Sequence, residues 1–190
     1  MQKSIAIIPA RGGSTRLPRK NILPFCGRPL IEWTIEAALG SGLFEKVLVS
    51  TDDEEIAEIA QKVRADVPFL REQYADNHSP SSLATIAALD QAEAYWRTQF
   101  DLVVQLLPTC PLRTSMDIVD AMEAFLGGEA PAQISVFEYG WMNPWWAAEI
   151  REDGQPEWLF PEAIKHRSQD LETLYCPSGA IWIARTASLR

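Results

Sequence analysis

Apolar residues follow two rhythms along this chain. In some stretches they run without a break: Ile5 to Ile8 within Ser4–Pro9, "KVLVST" over 46–51, and "DLVVQLL" over 101–107. Unbroken runs of this length are the mark of strands buried on both faces, as in a parallel sheet. Between them the spacing turns helical. Leu30, Trp33, Thr34, Ala37 and Ala38 follow Pro29, which suits a first helical position, and Gly40 and Gly42 end the element. "DDEEIAEIAQKVRA" places Ile56, Ile59, Ala60 and Val63 on one face and its acids in the first turn, where the helix dipole favours them. "VPFLR" reads as a short strand or extended segment. Ser81 or Ser82 reads as the N-cap of a helix running to about Trp96. "MDIVDAMEAFLGG" is a helix with a glycine stop, and "AQISVFEY" and "SGAIWIA" are strands.

Strand alternating with helix predicts an α/β fold, a mostly parallel sheet with helices on both faces. Ligands of such sheets bind beyond the carboxyl ends of the strands. The alternation degrades after Tyr139. Residues 139–172 hold four of the seven tryptophans, and "EDGQP" within them reads as a hairpin turn. That Trp-rich segment reads either as a partner surface or as a cap on the core. The 190 residues otherwise read as one domain, without internal repeats.

Charge changes the picture. The chain carries a net −9, which argues against nonspecific binding to nucleic acid or to an anionic membrane. Yet the first 31 residues contain six basic side chains and no acidic one. A local positive field on an acidic body suits a compact anionic ligand. Cys26, Cys110 and Cys176 are widely spaced, with no CxxC, and read as reduced thiols of a cytoplasmic protein. The N-terminal apolar run is too short for a signal peptide, and no stretch approaches a membrane span.

The field centres on "IIPARGGSTRLPRKN", where a strand enters a loop with Gly12, Gly13 and Ser14 among Arg11, Arg16, Arg19 and Lys20. Successive backbone N–H groups in a glycine turn can cradle phosphate oxygens while side-chain cations neutralise the outer charge. The spacing is neither a Walker A loop nor GxGxxG, which disfavours a P-loop ATPase or a dinucleotide dehydrogenase. A basic surface turn is the plainer alternative.

"IIPARGGSTRLPRKNI" resembles the signature of the acylneuraminate cytidylyltransferases, the CMP-sialic acid synthetases. The likeness continues in order through "GRPLIEWTIEAA", "VSTDDEEIAEIA", "PFLR", "PTCPLRTS", "NPWWA", "RSQDL" and "SGAIWI". The resemblance implies a Rossmann-like nucleotidyltransferase fold and a homodimer, with 139–172 as its dimerisation arm. It implies transfer of CMP from CTP to a nine-carbon 2-keto sugar acid, with release of pyrophosphate and a requirement for Mg2+. Arg11 and Lys20 would hold the triphosphate and stabilise its developing charge. Ala10, Gly12, Gly13, Ser14 and Asn21 would contact the nucleotide, and Arg71 with Ser81 and Ser82 would read and fix it. Arg16 and Arg19 read as outer charges, and Asp52 and Asp53 as helix caps rather than metal ligands.

On the sugar side the chain departs from the pattern. Leu107 stands where the family commonly has glutamine, and Gln105, two residues back on the same strand face, reads as its substitute. Arg167 and Gln169 fit the family's sugar-carboxylate segment. Trp182 replaces a tyrosine and Ser178 an asparagine. The family's magnesium-binding aspartates follow the last strand, in a segment lying past Arg190, so the resemblance assigns the metal to no residue of this sequence. Three alternatives stand beside the sialic-acid reading. One is a cytidylyltransferase for legionaminic, pseudaminic, deaminated nonulosonic or 3-deoxy-octulosonic acid, another a CTP-binding protein without turnover, and the third an interaction module built on the Trp-rich arm.

Overall fold

The computed structural model describes residues 2–74 and 79–189. In chain order the strands are β1 (Ser4–Pro9), β2 (Pro24–Phe25), β3 (Arg28–Pro29), β4 (Lys46–Ser50), β5 (Leu102–Gln105), β6 (Ala132–Glu138), β7 (Ala148–Ile150), β8 (Pro156–Trp158) and β9 (Tyr175–Arg185). The helices are α1 (Leu30–Ser41), α2 (Glu54–Lys62), α3 (Ser81–Trp96) and α4 (Ser115–Leu126). Five strands form the central sheet in the order β4-β1-β5-β9-β6. β1 pairs in parallel with both β4 and β5, while β9 runs antiparallel to β5.

Alternation along β1 explains why helices cover both faces. Ala6 and Ile8 join one buried cluster with Ile31 and Ile35 of α1, Ile56 of α2, and Ile118 and Phe125 of α4. Ile5 and Ile7 join another with Leu48, Val103, Ala88 and Leu89 on the α3 side. Burying a side chain of this size is worth about 1.5–3 kcal/mol, so these two layers are the main drive to the fold.

Helix ends follow local chemistry. Asp53 caps α2, its carboxylate accepting from the Ile56 N–H at 3.1 Å. α4 begins in a capping box: Thr114 accepts from the Asp117 N–H, and Asp117 accepts from the Thr114 N–H at 2.7 Å. The pattern "TSMD" carried that signal, although the hydrophobic rhythm alone does not start the helix there. The N-cap of α3 is Pro80, so the expectation of a serine cap is corrected: Ser81 and Ser82 are the first two helical residues and make no side-chain cap bond. Pro80 is extended, which starts the helix one residue earlier than a serine cap would. The 67–71 segment, expected as a short strand or extended, forms no strand and bends at Phe69; it follows an isolated bridge between Asp66 and Leu48. The Arg71 N–H then donates to the Thr51 carbonyl at 2.7 Å.

The chain divides into two compact units, Met1–Ser135 with Gly179–Arg190, and Val136–Ser178. The second contains the Trp-rich 139–172 segment. Within it, β7 and β8 form an antiparallel hairpin whose turn places Gly154 at φ 79°, as "EDGQP" predicted. Among the described residues no helix is long and apolar enough to cross a membrane.

Gly179 on β9 has φ 70°, and a Cβ there would lie 2.7 Å from Cδ1 of Leu107. The conformation strains any L side chain, and the Leu107 methyl would have to shift to admit one. Gly179→Ala is expected to destabilise the protein by about 1–2 kcal/mol or more, lowering Tm by about 2–4 °C per kcal/mol. Gly128→Ala, where the nearest backbone oxygen would be 3.8 Å away, is the comparison that should melt near the wild type. Thermal melts followed by circular dichroism check both.

Candidate active site

Because β4, β1 and β5 are parallel, their carboxyl ends share one edge, with Pro9 opposite Ser50 and Ile7 opposite Gln105. A cleft of about 240 Å³ opens there. The segment leaving β1 lines it with Pro9, Arg11, Ser14, Lys20 and Asn21. Leu107, Pro108 and Thr109 wall it from beyond β5, and Arg71 from beside β4. The first turn of α3 adds Ser81 and Ala84, and Tyr74 and Ser79 complete the rim. The cleft therefore gathers three cations, several hydroxyls and the positive end of a 16-residue helix, a combination suited to a polyanion.

Of the three cations Arg71 is buried, while Arg11 and Lys20 are partly exposed. Burial, then the charges of Arg16 and Arg11, pushes the Lys20 ammonium below the ordinary lysine value. Burial also lowers the Arg71 guanidinium; Asp52 opposes that shift and Arg11 adds to it. Arg71 is 4% exposed, and its Nε and Nη1 have no hydrogen-bond partner among the described residues. A buried cation with open donors is a strong attractor for an anion or a base carbonyl.

The glycine loop behaves differently from the expected cradle. The Gly12 N–H donates to Asp52 Oδ1 at 2.9 Å, and the Ser14 N–H donates to the Gly12 carbonyl at 2.9 Å. These two donors are thus used within the protein. Asp52 follows β4 just as the loop follows β1, so pairing of the two strands brings the carboxylate to the N–H. Gly12 is needed for this approach, since a Cβ would lie 2.5 Å from Asp53 Oδ2. Gly13 is exposed, and nothing lies within 4 Å of where its Cβ would be. Arg19 bridges Asp53 and Glu55, clamping the loop to the start of α2. Burial works to raise the Asp53 carboxyl, but the Ile56 N–H and Arg19 outweigh it and hold it below the usual range.

The remaining expected residues divide. Asn21 is buried, lines the cleft, and donates to the Arg11 carbonyl at 3.0 Å, so it also shapes the loop. Ala10 is fully buried, its N–H on the Ser50 carbonyl, and supports the cleft from beneath. Ser82 does not line the cleft: one helical position beyond Ser81, it lines a separate cavity with Gln105 and Trp182. Leu107 lines the cleft, whereas Gln105, expected as the substitute for glutamine there, does not. Arg167 and Gln169 belong to the second unit, where the Arg167 guanidinium pairs with Asp170 at 2.8 and 2.9 Å.

Tyr74, Pro108 and Thr109 were missed. For Pro108 and Thr109 the signal was present: a proline that stops a strand on the ligand edge also marks a wall. Arg113 fixes that wall from behind, donating from Nη1 to the carbonyls of Leu107 and Ala180. It is 7% exposed, and burial pushes its guanidinium down to about 10.

A Mg2+ requirement was expected by resemblance. No group of three or more His, Cys, Asp or Glu side chains converges among the described residues, and none of the cleft-lining residues is a carboxylate. Among the described residues the cleft therefore offers no carboxylate set that would hold a metal.

A profile of the Cytidylyltransferase family matches residues 5–131. The chain is 37% identical over 181 residues to pseudaminic acid cytidylyltransferase of Campylobacter jejuni, covering 95% of this chain and 77% of that protein. It is 36% identical to CMP-N,N′-diacetyllegionaminic acid synthase of Legionella pneumophila, over 94% of this chain and 73% of that protein. N-acylneuraminate cytidylyltransferase of Streptococcus agalactiae is 34% identical over 96% of this chain and 43% of its own length. Among solved structures, CMP:2-keto-3-deoxy-manno-octonic acid synthetase complexed with CTP superposes with a TM-score of 0.72 at 19% identity. That match spans 98% of this chain and 76% of the other, a likeness of fold.

The desolvated Lys20 yields a test. Lys20→Met removes a cation whose charge is disfavoured by burial and by Arg16 and Arg11, so the free protein should melt no lower than the wild type. CTP should bind about tenfold or more weakly, the worth of one charge-assisted hydrogen bond. Thermal melting and titration calorimetry check the two halves.

Proposed function

The chain belongs to the cytidylyltransferase family, and on that premise we propose that it transfers CMP from CTP to a nonulosonic acid, releasing pyrophosphate. The observation that carries this reading is the cationic cleft of Arg11, Lys20 and Arg71 at the carboxyl edge, within a chain similar to sugar-acid cytidylyltransferases along nearly its full length. The sugar acid is proposed to be of the pseudaminic or legionaminic type ahead of sialic acid itself. Relatives of those names match at 37% and 36% identity with about three quarters of their length covered.

In the proposed reaction the anomeric hydroxyl of the acid attacks the α-phosphorus. A new oxygen–phosphorus bond forms, the anhydride bond to the β-phosphate breaks, and the hydroxyl proton is released. Catalysis of phosphoryl transfer is mostly positioning and charge neutralisation. Arg11 and Lys20 are proposed to hold the triphosphate, with the desolvated Lys20 regaining a favourable environment when the anion arrives. Arg71, Ser81 and Asn21 are proposed to orient the nucleoside part. Arg167 and Gln169 remain proposed contacts of the acid's carboxylate. A divalent cation is proposed to be required for turnover, without a ligand assigned to it here.

The test is pyrophosphate release from CTP with Mg2+ and a panel of pseudaminic, legionaminic, sialic and 3-deoxy-octulosonic acids. Release is expected with the pseudaminic or legionaminic type, at the highest kcat/KM. Tight CTP binding without release from any acid would replace this reading with nucleotide binding alone.

A homodimer is also proposed. What supports it is that in the second unit Trp141, Met142 and Ile150 are 78%, 74% and 70% exposed. Sedimentation velocity should show a dimer, and Trp141→Glu combined with Ile150→Glu should shift it to monomer. A wild-type protein that sediments only as monomer refutes the assignment.

A further inference from the structure

The peptide unit between Arg11 and Gly12 is held at both of its polar groups. Its carbonyl accepts from Nδ2 of the buried Asn21 at 3.0 Å, and its N–H donates to Asp52 Oδ1 at 2.9 Å. The neighbouring units are tied as well. The Ala10 N–H donates to the Ser50 carbonyl, and the Gly12 carbonyl accepts from the Ser14 N–H, each at 2.9 Å. Fixing a peptide plane fixes the backbone torsions on either side of it, here ψ of Arg11 and φ of Gly12. Ala10, fully buried, anchors the other side of Arg11. The direction in which the Arg11 side chain leaves the backbone is thereby set, and Arg11 lines the cleft.

Asp52 stands on a rigid base. Thr51 before it is fully buried; its carbonyl accepts from the Arg71 N–H at 2.7 Å and its Oγ1 from the Asp53 N–H at 3.1 Å. Both acids read as helix caps in the sequence, but Asp53 supplies the cap of α2 and the Asp52 carboxylate crosses to the loop. Asp52 lies outside the lining of the cleft, so its influence on a bound ligand passes through other residues. Its negative charge by itself opposes an anion bound nearby. What it can contribute to anion binding is therefore geometry.

We propose that Asp52 is a positioning residue of the transfer reaction: through its bond to the Gly12 N–H it aims Arg11 at the triphosphate. The assignment rests on the function proposed above. Asn21 alone would leave the peptide unit able to swing about one contact, whereas bonds at its two opposite ends resist rotation in either sense. Without the Asp52 acceptor the half-buried Gly12 N–H would turn toward water, as a backbone donor must find a partner, and the Arg11 torsion would turn with it. A shift on the order of 1 Å in a substrate-holding group is enough to lower a rate about a hundredfold.

The test compares CTP dissociation constants, measured by titration calorimetry with Mg2+ present, for Asp52→Ala and Asp52→Asn. Each is made alone and combined with Arg11→Ala. Both substitutions remove the charge, and only Asn keeps an oxygen that can accept from the Gly12 N–H. With Arg11 intact, Asp52→Ala should bind CTP about tenfold more weakly than Asp52→Asn, the worth of one hydrogen bond. In the Arg11→Ala background the two should agree within about twofold, because the side chain that the bond aims is gone. A carboxylate that served stability alone would give the same ratio in both backgrounds. Thermal melts of the unliganded variants certify folding. Asp52→Leu, which keeps the bulk and lacks the acceptor, repeats the comparison if Asp52→Ala melts below the assay temperature. Equal affinities of the two variants with Arg11 intact, or a tenfold ratio that persists without Arg11, overturns the inference alone. A wild-type protein that binds no CTP overturns the proposed function, and the inference with it.

Discussion

Because β1 runs parallel to both of its neighbours, three chain segments leave the sheet at the same edge, and every group of the cleft owes its place to that register. Pairing of Pro9 with Ser50 brings the glycine loop beside Asp52. Pairing of Ile7 with Gln105 brings Leu107, Pro108 and Thr109 to the opposite wall. α3 packs on the far face of the same strands and offers its N-terminus to the space between. No local motif could assemble these parts. A slip of one residue would turn each strand's buried set to the wrong helix layer, so the hydrophobic pattern that holds the core also holds the site.

Charge is arranged against the average of the chain. The molecule is acidic, yet its ligand edge concentrates guanidinium and ammonium groups that burial holds in an unfavourable state. Acids near that edge are used up in structural work. Asp53 caps a helix, and with Glu55 it holds Arg19, while Asp52 holds the Gly12 N–H. The positive field left over is therefore aimed into the cleft, where nearby solvent is least able to screen it.

Most of the fold was legible in the sequence because its signals are local. Unbroken apolar runs gave β1, β4 and β5 to within one or two residues at most ends, and turn glycines gave the β7–β8 hairpin and, at Gly42, the carboxyl end of α1, although Gly40 lies inside that helix and Pro29 is its N-cap rather than its first residue. The cap of α3 was not legible, since serine is a good cap in general and only the extended Pro80 before it moves the boundary. In the cleft, Arg11, Ser14, Lys20, Asn21, Arg71 and Ser81 were found from the loop and the resemblance. Ser82 faces elsewhere because adjacent helical residues point about 100° apart, which a motif does not record. The commitment of the Gly12 N–H to Asp52 was hidden for a different reason: the two residues are 40 positions apart, and only strand pairing makes them neighbours.

The bond between Gly12 and Asp52 bears on which anions the loop can favour. Swapping one oxygen acceptor for another on the same N–H conserves the number of hydrogen bonds, so displacing the carboxylate gains little by itself. A lone phosphate that touched only this N–H would exchange places with Asp52 at no profit. A chain of phosphates long enough to engage Arg11 and Lys20 at the same time would add contacts that Asp52 does not supply. The carboxylate that follows β4 thus satisfies the Gly12 N–H of the neighbouring loop before any anion arrives.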